Sequence, residues 1–185
     1  MTTRTVLLAA LLVLLAACSG AEPLIDEYAP ALQERAGAYA DEVETLAEQN
    51  AADLNTAVNR LQNDLQGEAL LDAAVAETAK LSSMLFAGIG DALDRYVRDL
   101  DEMPTPGSVA DEHTSYLKAL EASRSGVAPL LETLGTATTF EQIDEAIAGS
   151  GFSDAQPRVE AACATLERAV ESAGVVVDLR CAVVR

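Results

Sequence analysis

Two long runs of the chain place apolar residues at every third or fourth position, which is the spacing of one face of an α-helix. In the first run, from about Ala31, this face consists of Leu32, Ala36, Tyr39, Val43, Leu46, Leu54, Ala57, Leu61 and Leu65, with Asn50 as a polar interruption. Gly67 offers a break, and a second run continues to Leu100 before the segment Pro104-Thr105-Pro106 ends it. The pattern therefore predicts two long helices joined by a tight connection.

The middle of the second predicted helix is apolar on several faces and contains Gly88 and Gly90. Glycine has no side chain, so this section is predicted to be the most buried, with a neighbouring helix close to it. A third helix is predicted at about residues 108–134. Gly126 and Pro129 lie inside it, and we expect a kink or break near Ser125.

Shorter helices follow. Thr138-x-x-Glu141 matches a capping box and predicts the start of a short fourth helix. A fifth is predicted at about residues 155–173, with Ser153 or Asp154 as its N-cap and Pro157 in its first turn. Only the tail after Gly174 has an extended pattern. The predicted fold is all-α: an antiparallel bundle of about four to five helices, two of them long, with an extended C-terminal tail.

The N-terminus has a different pattern. Residues 6–17 (VLLAALLVLLAA) are all apolar, and Arg4 is the only charge before them. As a helix this run spans roughly 18 Å, which is short of the ~30 Å hydrocarbon core of a membrane. A short apolar run behind a basic residue is typical of a cleaved signal peptide.

Leu15-Ala16-Ala17-Cys18 resembles the lipobox of bacterial lipoproteins at every position. The resemblance implies lipid attachment to the Cys18 sulfur, cleavage after Ala17, and anchoring on the extracytoplasmic face of a bacterial membrane. Two or more acyl chains, at about 0.8 kcal/mol per buried CH2, give stable anchoring. Ser19 is compatible with an outer membrane in a two-membrane cell. The alternative is an ordinary signal peptide with Cys18 incidental.

This interpretation divides the chain into three parts. Residues 1–17 are the signal peptide, residues 18–30 are the lipidated N-terminus and a short tether, and residues 31–185 are one helical domain. The precursor has 12 basic and 30 acidic residues and a formal net charge of −18. Cleavage removes Arg4 and no acid, which leaves about −19. Such a surface repels nucleic acid and anionic headgroups, so the domain is expected to contact the membrane only through its lipid.

Two cysteines remain once Cys18 carries lipid, and an exported domain lies in a compartment that permits disulfides. Cys163 is predicted to lie inside the last helix, about 16 Å along its axis from Gly174. The seven residues up to Cys181 can span about 23 Å if extended, so the two cysteines can meet. We therefore predict a Cys163–Cys181 disulfide between the tail and the last helix; the alternative is two buried free thiols.

The C-terminal pattern carries a second resemblance. Cys163-x-x-Leu166-x-x-Ala169, followed by Gly174 and Asp178-Leu179-x-Cys181, is similar to the C-terminus of uncharacterised helical lipoproteins of bacteria. The resemblance supports the disulfide and implies no activity.

The sequence offers little catalytic chemistry. His113 is the only histidine, and it shares a helical face with Val109, Tyr116, Leu117 and Leu120, which predicts a hydrogen-bonded core residue. The acids Asp41, Glu42, Glu44 and Glu48 fall mainly between apolar positions, which favours a solvated face over a calcium or acid–base site. No metal-ligand spacing and no Gly-x-Ser-x-Gly motif occurs. We therefore predict no catalytic residue, metal or cofactor.

The leading hypothesis is a non-catalytic, lipid-anchored envelope protein that binds another protein or has a structural role. The alternative is an extracytoplasmic binder of a small apolar ligand, held between the helices near Phe86, Ile89 and His113. An enzyme would need a pocket that gathers His113 with acids from other helices. A sizeable apolar cavity there would favour the ligand binder, and a filled core would favour the interaction protein.

Overall fold

A computed structural model describes residues 23–181, and every regular element in this range is helical. The α-helices are α1 (Ile25–Asp64), α2 (Glu68–Asp101), α3 (Ala110–Ser125), α4 (Val127–Leu134), α5 (Phe140–Ala148) and α6 (Gly151–Ser172). A 3-10 turn at Gly107–Val109 precedes α3. The predicted all-α fold is confirmed. The predicted signal peptide and Cys18 lie outside the described residues.

The two long predicted helices form a hairpin. The 40 residues of α1 rise about 60 Å and the 34 residues of α2 about 51 Å. Gly67 connects them with a φ of 62°, in the region that favours glycine, as the predicted break requires. Helices α3 and α6 pack extensively on each other, and α3 and α4 pack against α2. The second half of the chain therefore builds the bundle around α2.

The core is a single cluster of leucine, valine and aromatic side chains. The largest side chains with less than 2% exposure are Leu32, Leu93, Leu100, Leu120, Leu130, Leu134, Leu166, Val109, Val170, Cys163 and Ser123. The two glycines of α2 allow close packing as predicted. A β-carbon on Gly88 would lie 2.9 Å from Leu46 Cδ2, and one on Gly90 would lie 3.0 Å from Val127 Cγ1.

The predicted third helix is broken at Gly126, which confirms the expected break near Ser125. Pro129 accounts for the break, because it cannot donate to the Ser125 carbonyl four residues earlier, and Gly126 also makes a close contact with the start of α6. A β-carbon on Gly126 would lie 2.1 Å from the backbone nitrogen of Phe152 and 2.4 Å from the carbonyl carbon of Gly151. Only a residue without a side chain permits this approach, and α3 and α4 meet α6 at this point.

The predicted helix starts were less accurate. Helix α1 begins at Ile25, so residues 25–30 are helical and do not belong to the tether, which the sequence extended to Pro30. Pro30 lies inside the helix, where it cannot donate a backbone hydrogen bond. Burial of Tyr28, Ala29 and Leu32 around it stabilises this first section of the helix.

The caps of the last two helices also differ from the prediction. Thr139, not Thr138, caps α5, and its Oγ1 accepts a hydrogen bond from the Gln142 nitrogen at 3.2 Å. The reciprocal partner is Gln142, whose side chain accepts from the Thr138 nitrogen, so Glu141 has no part in the cap. Ser150 caps α6 through the Ser153 nitrogen at 3.0 Å, which moves the helix start several residues before the predicted one.

The predicted link between the tail and the last helix is confirmed. Cys163 and Cys181 form a disulfide with their α-carbons 5.6 Å apart. Gly174, with a φ of 99°, lets the chain reverse after α6, and residues 175–180 have no regular secondary structure. The tail therefore doubles back along α6, as the distances in the sequence required.

Candidate functional site

The tail lies between α1 and α6, which have little direct contact with each other. The backbone nitrogen of Asp178 donates to Gln33 Oε1 on α1 at 3.0 Å, and that of Leu179 donates to Glu167 Oε1 on α6 at 3.1 Å. The side chains of Val177 and Leu179 are buried. The tail thus fills the cleft between the two helices near Gln33 and Glu167.

Arg180 ends the filled part of the cleft. Its backbone adopts a φ of 51°, a left-handed conformation that is uncommon outside glycine. Its guanidinium pairs with Asp41, and its Nη2 lies 3.2 Å from Glu44 Oε2. The hydrogen bond to Asp41 is the main cause of a raised pKa for Arg180. The sequence analysis missed this residue, although a lone arginine between Leu179 and Cys181 in so acidic a chain was a signal.

Beyond Arg180 the cleft stays open and forms a groove with a volume of about 580 Å³. We call it the apolar groove. Its floor consists of Val43, Ala47, Leu85, Phe86, Ile89, Ile147 and Phe152, which come from α1, α2, α5 and α6. Its rim consists of Glu44, Ser153, Gln156 and Arg180. The sequence analysis had selected two of the floor residues, Phe86 and Ile89.

The floor of the apolar groove is held by core packing. Phe86 and Phe152 make an edge-to-face contact with ring centroids 5.6 Å apart, and both rings belong to the buried core. Ile89 is also buried, whereas Leu85 and Ile147 are half-buried and Ala47 is exposed. The groove is therefore preformed, with its deepest residues fixed and its outer residues open to water.

A small cavity of about 30 Å³ lies behind the groove and has room for about one water molecule. Gln156 and Arg180 line both spaces. The cavity contains Tyr39, which stacks on Tyr96 with centroids 4.8 Å apart, and Tyr116, whose hydroxyl lies 3.2 Å from that of Tyr96. Burial raises the pKa of Tyr96 well above its ordinary value and that of Tyr116 to about 12. These phenols stay protonated near neutral pH, which suits structural hydrogen bonds.

His113 is not part of the groove. It is 5% exposed, and its Nε2 lies 3.2 Å from the Leu100 carbonyl oxygen, which can only accept. Nε2 therefore carries the proton, and Nδ1 accepts a hydrogen bond from the Tyr28 hydroxyl at 2.8 Å. Burial lowers the pKa of His113, against smaller opposing effects of Leu100 and Asp101. The predicted core position is confirmed, and the three residues proposed to hold a small ligand are not together.

The acidic cluster on α1 is exposed, as predicted, and part of it binds arginines. Glu42 pairs with Arg95 of α2, and Asp41 and Glu44 pair with Arg180. These side chains are largely solvated, so water screens the pairs and they add little to stability. The pairs with Asp41 and Glu44 hold Arg180 at the rim of the cleft.

Residues 23–181 lack three features that would point to other functions. No group of three or more histidine, cysteine or acidic side chains in this range is placed to hold a metal ion. No buried side-chain nitrogen or oxygen of these residues lacks a hydrogen-bond partner. No helix formed by them has the length and apolar character needed to cross a bilayer.

Comparison of the chain with protein-family models, with curated proteins and with solved structures found no match. The lipobox and the resemblance to helical lipoproteins therefore stay predictions of the sequence.

Proposed function

We propose that this protein is a non-catalytic bacterial lipoprotein, anchored through Cys18, that binds another envelope protein in the apolar groove. The observation that carries the proposal is the groove itself, an open apolar depression with a fixed aromatic floor. Exposed apolar surface is unfavourable in water, and a contiguous patch with a polar rim is typical of an interaction site.

The openness of the groove favours a protein partner over a small ligand. Small-molecule pockets enclose about 70–90% of the ligand surface, whereas this groove is open to water along one side. An apolar ligand in it would keep much of its own surface exposed. A partner protein would cover the groove and bury both surfaces, which makes better use of the hydrophobic effect.

The chemistry of the rim supports a non-catalytic role. Glu44 is the titratable acid at the rim, and it is paired with Arg180 in contact with water. Ser153 Oγ donates to the Ile147 carbonyl oxygen at 2.6 Å, so the proton of this hydroxyl is engaged at the start of α6. His113, the base that such a serine would need, is buried among other residues.

The anchor is tested together with the groove in living bacteria. A photoreactive amino acid is placed at Ala47, inside the groove, and as a matched control at Ala52, which is exposed on the same helix and does not line the groove. We expect a cross-linked envelope protein from Ala47 and not from Ala52. Equal cross-linking from both positions, or none from Ala47, would contradict the binding proposal.

The same experiment is repeated with Cys18→Ala and with Ser19→Ala as its control. We expect the Cys18→Ala chain to leave the membrane fraction and to lose labelling by an alkyne fatty acid, because no acyl chain can then be attached. Ser19→Ala should keep both properties. Processed Cys18→Ala chain that stays in the detergent-extracted membrane would show that the lipobox interpretation is wrong.

A further inference from the structure

The helical segments around the apolar groove carry mostly negative charge. The groove is lined by residues within 43–47 of α1, 85–89 of α2, Ile147 of α5 and 152–156 of α6. Within four residues of these positions along the helices there are nine aspartates and glutamates and one basic residue, Arg158. Glu48 lies one helical turn beyond Glu44, and Asp144 lies one turn before Ile147, and both are exposed.

Arginines from elsewhere offset only part of this charge. Arg95 pairs with Glu42, and Arg124 pairs with Asp94. Among the described residues that line the groove, Arg180 is the single cation, and it already forms ion pairs with both Asp41 and Glu44. The groove thus presents an apolar floor within a region of net negative charge.

We propose that the occupant of the apolar groove is an amphipathic helix of a partner protein, with an apolar face and flanking lysines or arginines. This inference rests on the proposed binding function and names the chemistry of the partner. Apolar side chains at i, i+3, i+4 and i+7 would contact the floor, as in other helix-in-groove complexes. Basic side chains beside them would meet Glu44, Glu48 and Asp144.

The helical walls decide the conformation of the occupant. The backbone groups of α1, α2, α5 and α6 are engaged within their own helices, so the groove offers no free strand edge. An extended segment in the groove would lose hydrogen bonds to water and gain none from the walls. The backbone groups of a helix are already hydrogen-bonded to each other, so they lose no hydrogen bonds when the helix enters the groove.

Charge also argues against two other occupants. A second copy of the mature chain would bring a further net charge of about −19, and an anionic membrane surface would be repelled in the same way. A basic helix is attracted at long range, which speeds its association and makes binding weaken with salt.

The test uses a synthetic 14-residue helical peptide with leucine at the four contact positions and lysine beside them. It is titrated by fluorescence anisotropy into the full chain in phosphatidylcholine nanodiscs, with empty nanodiscs as the blank. The matched peptide has glutamate in place of each lysine. We expect the lysine peptide to bind at least about tenfold more tightly, which corresponds to about 1.4 kcal/mol, and to lose most of that advantage in 0.5 M salt.

The site is tested with Ala47→Arg, which adds bulk and positive charge inside the groove. Ala52→Arg makes the same change on the same helix outside it. We expect Ala47→Arg to weaken binding of the lysine peptide about tenfold or more and Ala52→Arg to change it less than twofold. Equal effects of the two variants, or equal binding of the two peptides, would overturn the inference.

Two further outcomes separate this inference from the proposed function. Cross-linking from Ala47 without binding of the lysine peptide would leave the binding function in place and reject the basic helix. Saturable binding of monomeric dodecyltrimethylammonium, sensitive to Ala47→Arg and without peptide binding, would assign the groove to a small amphiphile and overturn the inference.

Discussion

At the scale of single residues, His113 illustrates how the core selects one protonation state. The Leu100 carbonyl can only accept a hydrogen bond, so it holds the proton on Nε2, and the Tyr28 hydroxyl satisfies Nδ1. Both ring nitrogens are paired while the ring is neutral. A second proton would place a charge in the core, which is why burial lowers the pKa of His113.

This predicts that the free energy of unfolding depends on pH through His113. Above the ordinary pKa of 6.5 the ring is neutral in both the folded and unfolded states. As the pH falls below that value, the unfolded chain binds a proton that the folded chain resists, so stability falls. In urea titrations at pH 7.5 and 5.0, wild type should lose up to about 2 kcal/mol more than His113→Gln, at about 1.4 kcal/mol per pH unit. The two chains share every acid, so an equal loss in both would contradict the prediction.

Gly126 gives a second prediction at this scale. In Gly126→Ala the β-carbon meets the backbone of Gly151 and Phe152, which cannot turn aside as a side chain can. We expect a loss of at least about 3 kcal/mol in the free energy of unfolding. The control is Gly37→Ala in α1, where nothing lies within 4 Å and alanine should gain about 0.5–1 kcal/mol. In chemical denaturation the midpoint of Gly126→Ala should fall and that of Gly37→Ala should rise. A shift of both midpoints in the same direction would disprove the close contact.

At the scale of the elements, the tail is the least regular segment and depends most on specific bonds. It is attached to α6 by the disulfide and to α1 by Gln33 and the Arg180 ion pairs. These attachments differ in energy, because the ion pairs are exposed and the disulfide closes a loop of 18 residues.

The disulfide is therefore predicted to hold the tail. Replacing both cysteines, as Cys163→Ala with Cys181→Ala, should lower the free energy of unfolding by about 3 kcal/mol through loop-closure entropy. Arg180→Gln, which removes the ion pairs and keeps the disulfide, should lower it far less, because water screens these exposed pairs. Thermal unfolding of the three chains gives the order directly. A larger effect of Arg180→Gln than of the double variant would contradict this assignment.

The sequence located the helices well because their apolar spacing is a local property. The helix starts were harder to predict, because prolines were expected at or before the first turn. Pro30 was assigned to the tether and Pro157 to a first turn, but each lies in the second turn of its helix. Ser150 and Thr139 cap their helices through backbone conformations that composition does not reveal. The disulfide was predictable because the seven-residue tail is long enough for Cys181 to reach Cys163. Apart from Cys18, the chain has no other cysteine with which either could pair.

At the scale of the whole molecule, the groove was only partly predictable. Phe86 and Ile89 were chosen from the apolar character of α2, but the position of His113 depends on where α3 meets α1. The open part of the cleft depends on how far the tail extends between α1 and α6, which no local pattern encodes. The charge around the groove, in contrast, is visible in the sequence once its walls are known.

The length of α1 would set a working radius for the proposed lipid-anchored protein. Six residues lie between Cys18 and Ile25, so the seven steps from one to the other span at most about 25 Å, and Ala47 lies about 33 Å further along the helix, by the rise per residue. If Cys18 is anchored in a bilayer as proposed, the groove stays within about 58 Å of that bilayer. Partners within that distance would be sampled repeatedly at high local concentration, and proteins beyond it would be out of reach whatever their affinity.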